Sequence, residues 1–356
     1  MNTPSSSHGI LPVGVLGLGR AGWNIHIKRL KDNPRFRVAE VADPDPVRRA
    51  EAEKELGCLT FASRDELLDR GSSSLVVVAT PNTCHEEDAL AVCRSGRDCV
   101  LEKPVAMSYA GAVRVANAFA DCGRRVFPHH QHLLFQEHLL LKELIGSGKL
   151  GEVFEIRYHW VNFARRNDWQ TLRKNGGGHF NNNGPHALST MLDLLGAPLT
   201  SLAGNASHIK DVGDADDHAS FLLRTANGRS GVLMLSTCCA APLPKFVILG
   251  SAGTAWPAEE AGKVRVKFFD PAAAPALEVR DGGAAGRAYG SGDQLPWQEE
   301  TFEVASMPEL AFYDNVADVL SKGAPQIVTI ESAVEVARAL EWGLEGADPA
   351  PRTAVG

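Results

Sequence analysis

Three glycines near the start of the chain have the spacing of a phosphate-binding turn. Residues 17–22 read Gly-Leu-Gly-Arg-Ala-Gly, between an apolar run at 13–16 and a helical stretch from 21 to about 31. Gly17 would allow a tight turn, Gly19 the approach of a pyrophosphate, and Gly22 close packing of helix on strand. The N-terminus of the helix adds unpaired N–H groups and the positive end of its dipole. This pattern predicts a turn that binds a dinucleotide.

An acidic residue follows at the distance that recognition of a ribose requires. Asp43 ends the second predicted strand, 21 residues after Gly22. A carboxylate at that position accepts hydrogen bonds from ribose hydroxyls and repels the 2′-phosphate of NADP. Residues 44–46 add no cation, and Arg48 is the nearest one. We therefore expect NAD in preference to NADP, with an incidental acid after a glycine turn as the alternative.

Two further strand ends carry polar residues beside a proline: Ala-Thr-Pro-Asn at 79–82 and Glu-Lys-Pro at 102–104. Ligands of open parallel sheets lie beyond the carboxyl ends of the strands, so both segments should flank the nicotinamide. The residues expected to contact the cofactor are Gly17, Gly19, Arg20, Ala21, Gly22, Asp43, Arg48, Thr80, Pro81, Asn82, His85, Glu102 and Lys103.

Strands and helices alternate over the first 127 residues, which predicts a parallel, doubly wound sheet of the α/β class. A chain of 356 residues is longer than one core usually supports. We therefore expect a Rossmann domain at 1–127 and a second domain at 128–356. The pattern predicts strands at 13–16, 37–42, 74–79, 99–102 and 125–127, and helices at 21–31, 47–56, 85–95 and 108–122.

Composition excludes several classes of function. The net charge is −7 and no basic stripe occurs, which argues against nucleic acid as a partner. No apolar run approaches the roughly 20 residues that span a bilayer, so no membrane segment is expected. The polar residues 1–9 are interpreted as a disordered tail and not as a signal peptide. The seven cysteines form no C-x-x-C pair, which favours a reducing cytoplasm and mostly buried thiols over disulfides or zinc.

Several stretches together resemble the glucose–fructose oxidoreductase / inositol dehydrogenase / MocA (Gfo/Idh/MocA) family. They are GVLGLGRAG (14–22), VADPDP (41–46), VVVATPNTCHEEDAL (76–90), LEKPVAM (101–107), and longer segments at 142–153, 176–196 and 312–341. The resemblance implies a second domain of α+β type with a large, open, mostly antiparallel sheet. Such sheets commonly form homodimers or homotetramers in the family. Partial alternation agrees with strands at 153–161, 219–224, 230–237 and 245–249, and the Ala-, Gly- and Pro-rich stretch 271–287 predicts a loop.

The resemblance also implies a catalytic pair. The family uses the lysine of its Glu-Lys-Pro motif to bind substrate and assist proton transfer, here Lys103, and implies a cis bond before Pro104. A second family motif places an Asp and a His four residues apart near the start of a helix, and the matching residues are Asn182 and His186. Residues four apart share a helix face, so both could meet one substrate hydroxyl, with His186 as general base. The alternatives are a surface lysine and a capping or core histidine.

Asn182 departs from the family pattern, because an asparagine carries no charge. The missing carboxylate would have raised the pKa of the lysine and the histidine, and it could have accepted a proton. Asp168 could supply an acid in its place. Trp169 would then offer an apolar face for a sugar ring, and Arg165 or Arg166 a charged clamp. A solvated surface turn is the alternative for this segment.

Three more histidines follow the first predicted domain. They are His129, His130 and His132, and on a strand His130 and His132 would share one face, as metal ligands do. No carboxylate or further histidine lies at metal-ligand spacing from them. We therefore expect no metal and interpret His130 and His132 as substrate contacts.

The sequence thus indicates an NAD-dependent dehydrogenase that oxidises a secondary alcohol of a sugar, polyol or glycoside. Two alternatives remain open. One is an enzyme that oxidises its substrate transiently with no net redox change, as in glycoside cleavage or epimerisation. The other is a non-catalytic sensor of NAD or of a sugar.

Overall fold

The computed structural model describes residues 9–210, 212–277, 294–306 and 310–346. Within these ranges the chain folds around two β-sheets, one of six strands and one of eight. Most of the predicted N-terminal tail, and the part of the predicted 271–287 loop after residue 277, lie outside the described residues. The described start of that loop is a 3₁₀ turn at Pro271–Ala273 followed by irregular chain.

The first sheet is parallel throughout and has the order β3-β2-β1-β4-β5-β6. This is a doubly wound order, whose switch point lies between β1 and β4. Its strands are β1 (Leu11–Leu16), β2 (Phe36–Ala42), β3 (Leu59–Phe61), β4 (Leu75–Val78), β5 (Asp98–Leu101) and β6 (Val126–Pro128). All of β4 is buried, because helices cover both faces of the sheet, and this explains its unbroken apolar run.

Helices connect these strands in the predicted alternation. The first is π-helical over Gly22–Ile27 and continues as α1 (Lys28–Asp32). The others are α2 (Pro46–Leu56), α3 (Arg64–Arg70), α4 (His85–Arg94) and α5 (Tyr109–Asp121). The predicted strands and helices of this region are therefore confirmed, while the short β3 and α3 were missed.

The second sheet has the order β14-β13-β12-β11-β7-β10-β9-β8. Its neighbours pair antiparallel except for β7 and β10, which run parallel. The mostly antiparallel second sheet is thus confirmed. The strands are β7 (Val153–Val161), β8 (Leu199–Ser207), β9 (His218–Thr225), β10 (Ser230–Ser236), β11 (Phe246–Gly250), β12 (Gly253–Pro257), β13 (Lys263–Phe268) and β14 (Gln298–Glu303).

Helices cover one face of the second sheet and join it to the first. The helices that follow β6 are α6 (Gln136–Gly146), α7 (His179–Leu195), α8 (Ala311–Lys322) and α9 (Ile330–Glu345). Helices α7 and α9 pack into the core of the second sheet. Helix α8 instead packs into the core of the first sheet through Phe312, Tyr313 and Val316. The domain boundary near residue 127 stays a prediction, because helix α8 follows the second sheet in the chain but packs against the first.

Two predictions from composition can be compared with the described residues. No helix among them is both long and apolar enough to cross a membrane. All seven cysteines are free, and only Cys58, Cys93 and Cys99 are buried. The expectation that most of the thiols are buried was therefore wrong.

Candidate functional site

The glycine turn after β1 leaves room for a ligand at one position and none at the others. Gly17 has φ +90°, and a Cβ there would lie 2.7 Å from the carbonyl oxygen of Ala79. A Cβ on Gly22 would lie 1.9 Å from the carbonyl oxygen of Gly17, whereas Gly19 has nothing within 4 Å of that position. The first helical hydrogen bond runs from Trp23 N to the carbonyl of Gly19 at 2.9 Å. The turn therefore fits a phosphate group at Gly19, where a helix N-terminus begins.

Asp43 is buried at the end of β2 and braces this turn. Its carboxylate accepts hydrogen bonds from Leu18 N at 2.7 Å and from Asp45 N at 2.9 Å. Arg48 Nη1 lies 3.5 Å from the same carboxylate, and its side chain is half-exposed. Arg48, the nearest cation in the sequence, thus reaches Asp43 in the structure. Its charge would partly offset the repulsion between Asp43 and the 2′-phosphate of NADP.

The turns after β4 and β5 are joined by a buried histidine. His85 Nε2 lies 2.9 Å from the carbonyl oxygen of Thr80, and its Nδ1 lies 2.6 Å from that of Pro104. The Thr80 hydroxyl donates to Asp88 at 2.6 Å. The bond between Lys103 and Pro104 is cis, as the family resemblance implied. Both ring nitrogens of His85 are used within the protein, so this side chain holds the two turns together.

Lys103 reaches from the first sheet to helix α7. Its ammonium donates to the backbone oxygen of Asn182 at 2.7 Å and to its side-chain oxygen at 3.2 Å. The Asn182 amide donates in turn to Gln170 Oε1 at 3.2 Å. Burial lowers the pKa of Lys103; the charge of Glu102 opposes this shift, and that of Arg20 adds to it. The lysine is therefore part of an interdomain contact and not an ordinary surface residue.

His186 lies one turn after Asn182 on α7 and stacks on a second histidine. The ring centroids of His186 and His132 are 4.3 Å apart with an interplanar angle of 23°, and His132 stacks in turn on Trp160. Among the described residues, Nδ1 of His186 has no hydrogen-bond partner. Burial lowers the pKa of His186 well below its usual value, and the charges of Lys103 and the neighbouring histidines add to the shift. At neutral pH the imidazole is uncharged and can accept a proton.

A buried hydrogen-bond network fixes the residue before Lys103. Glu102 Oε1 lies 2.9 Å from His26 Nε2 and 2.9 Å from His129 Nδ1, while His26 Nδ1 lies 2.6 Å from the Tyr313 hydroxyl. Burial would raise the pKa of Glu102, but the two histidines hold it well below its usual value. These ligand atoms lie close enough to hold a metal ion. All of them already take part in hydrogen bonds, and the expectation of no metal stays a prediction.

The proposed geometry of the histidines after β6 was wrong. Strand β6 ends at Pro128, and a 3₁₀ turn covers Gln131–Leu134, so His130 and His132 do not share a strand face. His132 lines the crevice between the sheets. His130 is 1% exposed and does not line it, so a direct contact with substrate is not available to this residue.

The segment at 165–169 divides between two cavities. Trp169 lines the crevice, while Arg165 and Arg166 face a second cavity. Asp168 lines neither; it forms an ion pair with Arg166 and accepts from Gln170 N at 3.3 Å. Asp168 therefore does not replace the missing carboxylate of Asn182. Trp160, Gln170, Lys174 and Asn175 are among the crevice residues that no spacing signal indicated.

These parts surround a crevice of about 820 Å³ between the two sheets. All the residues expected to contact the cofactor line it except Gly22, which packs beneath the turn. Lys103, Asn182 and His186 meet on the same crevice from opposite sides. A glycine turn open to a phosphate, an acid at the end of β2 and a lysine–histidine pair define the class of nicotinamide dinucleotide-binding oxidoreductases.

Comparison with known proteins gives the family. Residues 11–130 match the oxidoreductase family with an NAD-binding Rossmann fold, and residues 138–256 match the GFO/IDH/MocA C-terminal domain. The chain belongs to the Gfo/Idh/MocA oxidoreductase family.

Three similar proteins illustrate the range of this family. A 2,7-anhydro-N-acetylneuraminate hydratase from Escherichia coli is 27% identical over 68% of this chain and 66% of its own length. An inositol 2-dehydrogenase from Streptomyces avermitilis is 38% identical over 40% of this chain and 42% of its own length. These matches thus span less than two thirds of either relative. The crystal structure of GenD2 from gentamicin A biosynthesis in complex with NAD superposes with a TM-score of 0.76 at 23% identity, over 97% of each chain.

Proposed function

We propose that this protein is an NAD-dependent dehydrogenase that acts on a secondary alcohol of a sugar, polyol or glycoside. The observation that supports it most is that Lys103, after β5, and His186, on helix α7, both line the crevice into which the glycine turn opens. Gly19, Asp43 and the segment 80–82 would hold the dinucleotide. Its nicotinamide supplies the two-electron acceptor that the side chains of the protein lack.

The side chains would bind the alcohol and move its proton. Two hydrogen bonds to Asn182 hold the Lys103 ammonium, which leaves its third N–H for a substrate oxygen. His186 is uncharged at neutral pH and lines the crevice, so its imidazole can accept the hydroxyl proton. Stacking on His132 fixes the orientation of the His186 ring. Trp169 offers an apolar face for the carbon side of the substrate.

The test is a spectroscopic assay of the purified protein with NAD and a panel of sugars, polyols and inositols. We expect NADH to accumulate with at least one compound. His186→Ala should abolish this turnover while NAD binding persists, and Arg124→Ala, an exposed change away from the crevice, should leave both unaltered. Tight NAD binding without reduction by any compound would count against the proposal.

A redox-neutral enzyme is the second candidate, because one relative is a hydratase and Asn182 removes a charge from the site. Such an enzyme oxidises its substrate and then reduces the product again on the same nucleotide. It would retain NAD through purification and convert its substrate without added cofactor. A non-catalytic sensor would instead keep its biological activity after Lys103→Ala and His186→Ala.

We also propose that a second copy of the chain covers the outer face of the second sheet. Leu222 is 44% exposed there and pairs across strands with Val232, while Phe154 is 51% exposed. Exposed apolar side chains on one face are typical of interaction surfaces. Light scattering should show an oligomer that Leu222→Lys converts to monomer, and Leu243→Lys, in a loop, should not. A cytoplasmic location stays a prediction.

A further inference from the structure

A second cavity of about 420 Å³ adjoins the crevice. Four residues line both spaces, namely Trp160, Gln170, Asn182 and Asn183. Since Asn182 contacts Lys103, a molecule that reaches the lysine from the crevice borders this cavity as well. Its volume lies within the range of roughly 300–1,000 Å³ typical of small-molecule sites.

Two aspartates, Asp216 and Asp217, hold the wall of this cavity, and Asp216 is buried. Asp216, just before β9, accepts a hydrogen bond at 2.7 Å from Phe180 N at the start of α7, and burial raises the pKa of Asp216 to about 6. Asp217 accepts from Ile209 N at 2.9 Å and from Lys210 N at 3.0 Å. These contacts fix the segment after β8 against the start of α7, so the cavity is a formed feature of the fold.

The Lys210 ammonium is also used inside the protein. It donates to the carbonyl oxygen of Ala164 and to both oxygens of Thr237. With three acceptors its hydrogen-bonding capacity is filled. Lys210 therefore ties the segment after β7 to the end of β10, and it does not offer a free charge to a ligand.

The side chains that remain open to a ligand are of two kinds. Phe163, Ile209 and Val212 line the cavity and are 61%, 49% and 41% exposed. Arg165 also lines it, and its guanidinium makes no hydrogen bond or ion pair within the described part of the chain. An apolar face beside an unpaired planar donor is well matched to a sugar ring, which has a carbon face and a rim of oxygens.

We propose that this cavity binds the second ring of a two-ring carbohydrate, a disaccharide or a glycoside. The first ring would then place its CH–OH group at Lys103 and His186. Phe163 packs against the second ring, and Arg165 donates to its oxygens. This inference rests on the proposed function, because it assigns the substrate of the same site.

The experiment compares glucose, galactose and mannose with maltose, cellobiose and lactose as substrates. Phe163→Ala and Arg165→Ala should each raise KM for the preferred disaccharide about five- to tenfold, as expected for loss of one aromatic or planar contact. The value of kcat and the kinetics with the monosaccharides should not change. Leu243→Ala and Arg124→Ala, exposed residues outside both cavities, are the controls.

Two results would overturn the inference. One is a disaccharide that is used no better than its component monosaccharide; the other is an equal effect of Phe163→Ala on both. If no sugar is turned over, the proposed dehydrogenase function is wrong. A measurement of disaccharide binding then tests the cavity independently. Trp160 lies in the shared wall, so its fluorescence should then change when maltose, cellobiose or lactose is added to the NAD-loaded protein. No change with any disaccharide, or the same change in Phe163→Ala, would reject the cavity as a sugar site.

Discussion

The two sides of the crevice are built differently. On the first-sheet side, backbone features of short segments form the site: the turn at 17–22 and the cis bond before Pro104. On the second-sheet side, single side chains from separate segments meet, among them Trp160, Gln170 and His186. The comparison indicates that the cofactor side depends on local conformation and the substrate side on packing between distant residues. Substitutions on the two sides should therefore have different effects. On the cofactor side they should disturb the local backbone conformation, and on the substrate side they should remove contacts between distant residues.

The largest expected effect is at Lys103, which extends from the first-sheet side to Asn182 on the substrate side. Lys103→Ala removes the ammonium that meets Asn182 and the substrate oxygen, so kcat/KM should fall about 10²- to 10⁴-fold. The affinity for NAD, measured by fluorescence titration, should stay within a few-fold of the original value. Lys174→Ala changes another lysine of the crevice and is the control. A comparable loss in both variants would show that charge, and not the position of Lys103, matters.

The cofactor side is tested by two glycines of one turn. Gly22→Ala forces a Cβ to within 1.9 Å of the Gly17 carbonyl oxygen and should reduce the free energy of unfolding by about 1–3 kcal/mol. Gly19→Ala meets open space, so the protein should keep its stability and lose about tenfold in NAD affinity. Denaturant unfolding and NAD titration measure the two effects. Equal stability losses would refute the assignment of one glycine to packing and the other to the phosphate.

The missing carboxylate is tested by restoring it. In Asn182→Asp the new charge stabilises the protonated forms of Lys103 and His186 and raises both pKa values, which burial lowers in the native site. If the neutral form of Lys103 or of His186 acts as the base, the acidic limb of the plot of kcat/KM against pH should move about one pH unit upward. Asn183→Asp provides the neighbouring control. An unmoved acidic limb would mean that neither group titrates in the reaction.

The smallest effect concerns the choice of nucleotide. Arg48 is half-exposed, so its interaction with a 2′-phosphate is screened by solvent. Arg48→Ala should weaken NADP binding about threefold and leave NAD binding unchanged. Competition titrations with the two nucleotides measure this ratio. An equal loss of affinity for both nucleotides would indicate that Arg48 supports the conformation of Asp43 and does not recognise the 2′-phosphate.

The fold was predictable where one pattern covers a whole element. The buried run of β4 and the turn before Gly22 are examples, because each needs only neighbouring residues. Helix α3 was missed although residues 63–66 have the Ser-x-x-Glu spacing of a capping box. Ser63 accepts from Glu66 N, and Glu66 accepts from the N–H of Ala62, one residue before the N-cap. The exposed strand β14, with its run of charged residues, offers no alternation to detect.

The site was predictable only in part, for a similar reason. The family motifs indicated Lys103 and His186, and helical spacing placed Asn182 beside His186. Contacts between segments remained hidden, since nothing in the sequence shows that Gln170 meets Asn182. His130 was misplaced because its segment forms a 3₁₀ turn, for which strand geometry is the wrong rule.

Helix α8 has a consequence for engineering the protein. Although it follows the whole second sheet in the chain, it packs into the first core, and its Tyr313 touches the His26 ring beneath the Glu-Lys-Pro segment. A chimera that joins the first 130 residues to another substrate domain would combine this nucleotide half with a foreign α8. Chimeras that exchange substrate specificity between relatives should therefore succeed more often when residues 311–322 come from the same protein as the N-terminal half.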